Sequence, residues 1–271
     1  MPHRTPIALV SMALLALILL FAPPPAPAAE RLGIVLLHDK NSSPGRHLSE
    51  LARVLRNVGF LVTLPELPWS KNRGFDATFQ QAIVEVGLAA EELHLDGCTQ
   101  VALVGHGLGA NVALAYAAQR PGVFAVVALA PSHDPDRHRE VFLPDVRKAR
   151  SMLTLGGGNK RALFTDFNMN KDYDLSTTAE VYLSYNDPDG EAVMSKSCAA
   201  LKNPMPLLWV VGEFDPLSNL GRSYAFNKAP EHQESRYEVI ASDHASVPRN
   251  GARLVAEWLR SLVSESAATR P

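Results

Sequence analysis

The stretch that decides the fold runs from residue 101 to residue 114 and reads Val-Ala-Leu-Val-Gly-His-Gly-Leu-Gly-Ala-Asn-Val-Ala-Leu. Its first four residues are apolar, which is typical of a buried strand, and Gly105, Gly107 and Gly109 then interrupt the run. The residues after Gly109 have the spacing of a buried helix. The stretch therefore predicts a strand, a sharp turn and a helix, with Gly105 and Gly109 allowing the helix to pass close to the strand.

Three other segments place polar residues directly after apolar runs. The first apolar run ends at Leu36-Leu37-His38, a later one continues into Glu213-Phe214-Asp215-Pro216, and the last leads to Ser242-Asp243-His244. Continuous apolar runs of this kind are typical of a parallel sheet that helices cover on both faces. The carboxyl ends of parallel strands meet at one edge, so we expect these segments to lie near the turn at Gly107.

With these four motifs the chain resembles the α/β-hydrolase superfamily, over about residues 31–263, and within it a small exported bacterial branch. In that superfamily the turn is the nucleophile elbow, G-x-S-x-G, and serine, acid and histidine follow in this order along the chain. The resemblance implies an α/β fold with a mostly parallel central sheet, helices on both faces and a cap insertion. At position 107, where the superfamily has serine, this chain has glycine.

The resemblance also assigns roles to individual residues. His244 and Asp215 correspond to the catalytic histidine and its acid, and His106 lies beside the nucleophile position. The oxyanion hole is expected from the backbone N–H of Leu108 and from the loop at Asp39. Many relatives have His-Gly where this chain has His38-Asp39. The Asp39 side chain either faces solvent, or points inward, where a carboxylate would oppose a developing oxyanion.

Gly107 leaves three hypotheses for function. Without a serine, a triad loses on the order of 10⁶ in turnover, so the chain is first interpreted as an impaired or non-catalytic member that binds a small ester- or amide-like ligand. The alternative is an active carboxylic-ester or amide hydrolase in which His244 and Asp215 activate a water held in the space of the missing serine. The third hypothesis is that glycine stands at 107 through engineering or error.

The segment of about 134–189 departs from strand–helix alternation and is interpreted as the cap. Its cluster from His133 to His138 is expected to be solvated loop charges, and neither this cluster nor Asp166–Asn170 has the ligand spacing of zinc or calcium sites. Trp69 and Arg73 follow an earlier strand and either touch substrate or, for Trp69, pack under the loop. No metal or cofactor is predicted, since no phosphate-binding or haem motif occurs.

The N-terminal segment, the net charge and the cysteines indicate the location of the protein, its class of partner and its disulfide state. Residues 1–29 combine Arg4, an apolar run and Ala-Pro-Ala, which predicts a cleaved signal peptide and a periplasmic or secreted domain of residues 30–271. The formal net charge of −2 indicates no nucleic-acid or membrane partner, so a small-molecule ligand or substrate is expected. The two cysteines, Cys98 and Cys198, either form a disulfide or are separate buried residues. Nothing in the sequence indicates the oligomeric state or the identity of the substrate.

Overall fold

A computed structural model describes residues 31–169 and 171–268 of the chain. The predicted signal peptide lies outside these residues, as does Asn170. The strands of the described part are β1 (Leu32–Leu37), β2 (Leu61–Thr63), β3 (Gln100–His106), β4 (Val123–Leu129), β5 (Arg161–Asn168), β6 (Lys171–Thr178), β7 (Leu207–Gly212) and β8 (Arg236–Ile240). The helices are α1 (Ser49–Asn57), α2 (Phe79–Leu95), α3 (Leu108–Gln119), α4 (Arg139–Thr154), α5 (Ala179–Asn186), α6 (Met194–Ala199), α7 (Gly221–Tyr224), α8 (Val247–Asn250) and α9 (Ala252–Ala268).

Six strands form one parallel sheet in the order β2-β1-β3-β4-β7-β8. The strand β3, which leads into the turn at Gly107, lies between β1 and β4 near the middle of the sheet. Strands β1, β3, β4 and β7 are buried almost throughout, as their continuous apolar runs predict. The predicted fold class, a mostly parallel sheet between helices, is confirmed.

Alternate residues of each central strand enter two separate hydrophobic cores. On one face Val35, Leu103 and Val126 pack with apolar residues of α2 and α3. On the other face Ile34 and Val104 pack with residues of α1 and α9. This alternation follows from the two-residue period of a strand and fixes which side chains at the strand ends point toward each layer of helices.

The cap insertion is a small unit of its own. It consists of α4, the antiparallel hairpin β5–β6 and α5, and its core is formed by side chains from all of them, including Phe142, Phe164 and Tyr182. The rings of Phe164 and Tyr182 stack with centroids 4.4 Å apart. These elements lie between β4 and β7, in the segment where strand–helix alternation stops.

Glycines at the end of β3 permit the close approach that the sequence predicts. A Cβ at Gly105 would overlap the backbone of Gly109, and a Cβ at Gly109 would overlap the backbone of Leu37. The first turn of α3 is therefore pressed against β1 and β3. This contact places the amino end of α3 directly beside the loop that follows β1.

Two sequence-level questions are answered by the same architecture. Cys98 and Cys198 are both buried and both free, so the disulfide alternative is wrong for this structure. Cys98 instead packs close to Gly33 on β1. Among the described residues, no helix has the length and apolar character needed to cross a membrane.

Candidate active site

Gly107 lies at the sharp turn between β3 and α3 with φ of 56° and ψ of −122°. Glycine adopts such a positive φ without a Cβ clash, whereas other residues there are strained by about 1–3 kcal/mol. Here the turn is restricted by a neighbour as well. A Cβ at position 107 would overlap the carboxylate of Asp39, which fills the space where a serine side chain would begin.

Asp39 follows β1 and is buried, so the expectation that its side chain faces solvent is wrong. Its Oδ1 accepts hydrogen bonds from the backbone N–H of Leu108 at 3.0 Å and from that of Lys40 at 2.7 Å. Leu108 was expected to donate to a substrate oxyanion. The carboxylate of Asp39 therefore occupies the position expected for a substrate oxyanion, and Lys40 supplies the second N–H that was expected from the loop at Asp39.

His244 lies between two carboxylates. Its Nδ1 is 2.8 Å from Oδ2 of Asp215, and its Nε2 is 3.1 Å from Oδ2 of Asp39. The first contact is the predicted acid–histidine pair. The second replaces the contact that a serine hydroxyl would make in a complete triad, so the structure contains a carboxylate–imidazole–carboxylate array in place of a serine triad.

The array shifts the pKa values of its members in opposite directions. Burial alone would lower the pKa of His244, but the hydrogen bonds with Asp215 and Asp39 outweigh it and raise this pKa to about 10. Burial alone would raise the pKa of Asp39, but the hydrogen bond from His244 and the nearby imidazoles hold it well below its ordinary value. At neutral pH the centre is therefore an imidazolium bound to carboxylates, and an imidazolium cannot act as a general base.

Two further histidines hydrogen-bond to the backbone of the site residues. The backbone N–H of Leu67 donates to Nε2 of His38, so Nδ1 of His38 carries the proton that it donates to the carbonyl of Asp39 at 2.8 Å. Nε2 of His106 donates to the backbone carbonyl of His244 at 3.0 Å, and the two rings have centroids 4.9 Å apart. Burial lowers the pKa of His106 to about 4, which keeps its ring neutral.

Lys40 links the site to the cap. Its Nζ is 2.9 Å from Oδ1 of Asp166 on β5, and the two side chains are 2% and 3% exposed. The same ammonium donates to the backbone carbonyl of Phe167. We call the Lys40–Asp166 pair the cap clamp. The sequence contains no signal for this pair, because Lys40 and Asp166 are far apart in the chain.

The proposed substrate-contact residues have other roles in this structure. Trp69 is fully buried, and its indole N–H donates to the backbone carbonyl of His38, as the packing alternative predicts. Arg73 forms ion pairs with Asp76 and Glu85. Both residues stabilise the loop after β2, and Trp69 in addition holds the strand end that carries Asp39.

The cluster from His133 to His138 is the solvated group that the sequence predicts only in its second half, where Arg137 is exposed. His133 and Asp134 are buried at the carboxyl end of β4, beneath the cap. Nε2 of His133 lies 2.8 Å from the carbonyl of Tyr185 on α5, and burial raises the pKa of Asp134. Tertiary packing under the cap explains the difference, since a charged sequence alone predicts exposure.

One group of side chains has a composition suited to metal binding. Asp39, His106 and His244 are all buried, and one ligand atom from each lies within 4.8 Å of the others. The sequence predicts no metal, because these residues are separated by more than sixty positions at each step and form no recognisable spacing. Only the fold brings them together.

Comparison with known proteins extends the fold assignment. A metagenome-derived lipolytic enzyme, from work on LipS and LipT, aligns with a TM-score of 0.61 at 15% identity over 88% of this chain and 95% of its own. A monoacylglycerol lipase of Paleococcus ferrophilus gives 0.61 at 20% identity over 86% and 94%. Est1E of Butyrivibrio proteoclasticus, solved with ferulic acid, gives 0.59 at 14% identity over 90% and 94%.

These similarities are too low in identity to indicate more than the fold. A search among curated proteins finds no match. A sequence profile of the alpha/beta hydrolase family, in contrast, matches residues 13–258, which is most of the chain. Together with the parallel sheet, the elbow and the Asp215–His244 pair, this match shows that the chain belongs to the alpha/beta hydrolase family.

Proposed function

We propose that this protein is an exported member of the family that has lost serine acyl-transfer chemistry and binds a small ester- or amide-like ligand beneath its cap. One observation carries the proposal: the Asp39 carboxylate fills both the space of a serine at 107 and the oxyanion hole. An acyl-enzyme needs both positions. A bound negative charge in the hole opposes the charge that develops in the transition state.

The pairing of Gly107 with Asp39 also bears on the third hypothesis, that glycine arose by engineering or error. A serine at 107 would collide with the Asp39 carboxylate, and many relatives are expected to have glycine where Asp39 stands. Two departures from the family pattern that fit each other sterically support an adapted site. A single artificial change at 107 would not account for the aspartate.

The two N–H groups that hold Asp39 indicate the class of ligand. The N–H groups of Leu108 and Lys40 would donate to a ligand carbonyl or carboxylate oxygen in place of Oδ1 of Asp39. Such a ligand must displace the Asp39 carboxylate from these N–H groups, and this competition lowers its affinity. Est1E, with the same fold, was solved with ferulic acid, which supports a small carboxylate or ester as the class to test.

The second candidate is hydrolysis by water that His244 and Asp215 activate. The retained 2.8 Å pair favours it. However, Nε2 of His244 already contacts Asp39, and the raised pKa leaves no free base at neutral pH. For this candidate, ester turnover should appear in the natural chain without covalent labelling and should be lost in His244→Ala.

The deciding experiment compares four proteins: the natural chain, Gly107→Ser, Asp39→Gly, and the double variant. Each is assayed on short-chain aryl esters and with a serine-reactive fluorophosphonate. We expect no reaction in the natural chain and little in Gly107→Ser, since Asp39 still blocks the hole. The double variant should react faster than Gly107→Ser by about 10²–10³, the effect of an oxyanion-hole defect.

Thermal-shift measurements with short esters, amides and carboxylates test the binding part. Asp39→Gly should bind such ligands more tightly than the natural chain, because the two N–H groups become free. Fluorophosphonate labelling of the natural chain would overturn the proposal. Equal reactivity of Gly107→Ser and the double variant would show that Asp39 does not block the site.

A further inference from the structure

We propose that Asp39, His106 and His244 form a binding site for a divalent first-row transition metal, with Zn²⁺ as the reference ion. The inference rests on the proposed function, since it is the absence of a serine that leaves Asp39 and His244 facing each other. It goes beyond that function by naming a cation as a ligand of the same centre.

The spacing of the side chains suits a small cation. One ligand atom from each residue lies within 4.8 Å of the other two, and Nε2 of His244 is 3.1 Å from Oδ2 of Asp39. Two ligands about 2.0–2.1 Å from a tetrahedral zinc ion are roughly 3.3 Å apart. The His244–Asp39 edge therefore already has nearly the length of a coordination edge, and the edges to His106 are no longer than 4.8 Å.

His106 provides an independent observation. Because its Nε2 donates to the carbonyl of His244, its Nδ1 carries a lone pair. That nitrogen is buried and has no hydrogen-bond partner within residues 31–169 and 171–268. A buried polar atom without a partner costs about 1–3 kcal/mol, so such atoms are rare unless a ligand satisfies them. A neutral imidazole nitrogen is the commonest metal ligand in proteins.

The surrounding hydrogen bonds have the arrangement of a metal site's outer sphere. A metal-bound histidine usually donates its other ring N–H to a carboxylate or a backbone carbonyl. Here Nδ1 of His244 contacts Asp215 and Nε2 of His106 contacts a backbone carbonyl. Oδ1 of Asp39 is held by two backbone N–H groups, which leaves Oδ2 as its ligand atom.

Charge favours a cation at this point, and a bound ion would displace the proton that Nε2 of His244 directs toward Asp39. The carboxylates of Asp39 and Asp215 are buried on either side of one imidazole, and the neighbouring Lys40 is paired with Asp166. Two nitrogens and one oxygen suit zinc, iron, nickel or copper, whereas Ca²⁺ and Mg²⁺ prefer oxygen ligands alone. Three protein ligands leave a coordination position open, as in catalytic zinc sites, so the ion would act there as a Lewis acid.

The test uses the full folded chain, stripped with a chelator and titrated with Zn²⁺ or Co²⁺ against a chromophoric competitor. We expect one equivalent of tight binding in the natural chain and visible Co²⁺ bands of mixed nitrogen and oxygen ligation. Asp39→Asn, His106→Gln and His244→Gln should each weaken binding by about 100-fold or more. Asp215→Asn, which keeps all ligands, should weaken it by about 10–100-fold.

His232→Gln is the matched control, because His232 precedes β8 while His244 follows it, so the two lie at opposite edges of the sheet. It should bind Zn²⁺ like the natural chain. Circular dichroism checks that each variant folds. If His106→Gln does not fold, the imidazole NMR signals of His106 and His244 in the natural chain decide, and both should shift on addition of one equivalent of Zn²⁺.

The metal site would be overturned if the natural chain bound no stoichiometric Zn²⁺, or if folded His106→Gln kept the natural affinity. It would also be overturned if His232→Gln lost as much Zn²⁺ affinity as the ligand variants. The proposed function fails separately, through fluorophosphonate labelling of the metal-free natural chain. The two results are therefore distinguishable.

Discussion

Two neighbouring residues, Asp39 and Lys40, enter two buried ionic centres that differ in what they contact. The Asp39 carboxylate points into the elbow site, defined by Gly107, Asp39, His244 and Asp215, and shares the imidazole with a second acid. Lys40 points the opposite way and forms the cap clamp with a single carboxylate, Asp166. The elbow site has an excess of acid around one titratable base, whereas the cap clamp is balanced.

The difference indicates separate purposes for the two centres. A balanced buried pair holds the cap in register and is neutral overall. An unbalanced array around an imidazole is costly as a structural device, and its excess negative charge is suited to a proton or a cation. The loop after β1 thus contacts both the cap and the elbow site.

The largest effect is expected from placing a side chain at position 107. Gly107→Ala forces the Asp39 carboxylate out of its contacts and adds backbone strain, so unfolding free energy should fall by about 4–8 kcal/mol. In an Asp39→Gly background the same substitution should cost only the strain, about 1–3 kcal/mol. Chemical denaturation of the natural chain, Gly107→Ala, Asp39→Gly and the double variant measures the coupling free energy between positions 39 and 107. Additive losses of unfolding free energy would show that the two side chains do not compete for space.

The cap clamp should be broken by Lys40→Met. This substitution leaves Asp166 buried and unpaired, so we expect a loss of about 3–5 kcal/mol, measured by denaturation. The double variant Lys40→Met with Asp166→Leu removes both charges and should recover most of that loss. No recovery would mean that the clamp acts through more than its two charges.

The contribution of the elbow site to the unfolding free energy should depend on pH. Because the pKa of His244 is raised to about 10, its stabilising contribution is complete below the unfolded value of about 6.5 and declines as pH rises toward 10. The lowered pKa of Asp39 makes its contribution complete above about pH 4 and lost on acidification.

In the presence of a chelator, unfolding free energy should therefore fall by roughly 2–3 kcal/mol between pH 6.5 and pH 9. Asp39→Asn should show a smaller fall, and its His244 NMR titration should have a lower midpoint than that of the natural chain. Identical midpoints would contradict the Asp39–His244 contact.

The smallest effect is expected at Arg73, whose ion pairs with Asp76 and Glu85 are partly solvated. Arg73→Met should change unfolding free energy by about 1 kcal/mol or less, because solvent screens such pairs. Comparing its loss of unfolding free energy with that of Lys40→Met shows how much more a buried ion pair contributes than a partly solvated one. A loss equal to that of Lys40→Met would show that the loop after β2 depends on Arg73.

The sequence by itself determined the parts of this protein that depend on local pattern. Apolar runs and glycine spacing identified the parallel strands, the elbow and the insertion, because hydrophobic period and backbone freedom act within a few residues. The resemblance of these motifs to the alpha/beta hydrolase family assigned Gly107, Asp215 and His244 to the elbow site.

Only the tertiary structure decided where the Asp39 carboxylate points, that Lys40 clamps the cap, and that His106 joins Asp39 and His244. These outcomes depend on contacts between strand ends far apart in the chain, and on burial that outweighs the solvent preference of charged side chains. The joint change to aspartate at 39 and glycine at 107 was visible in the sequence. Its consequence depends on the fold, which places the Asp39 carboxylate where a side chain at position 107 would lie.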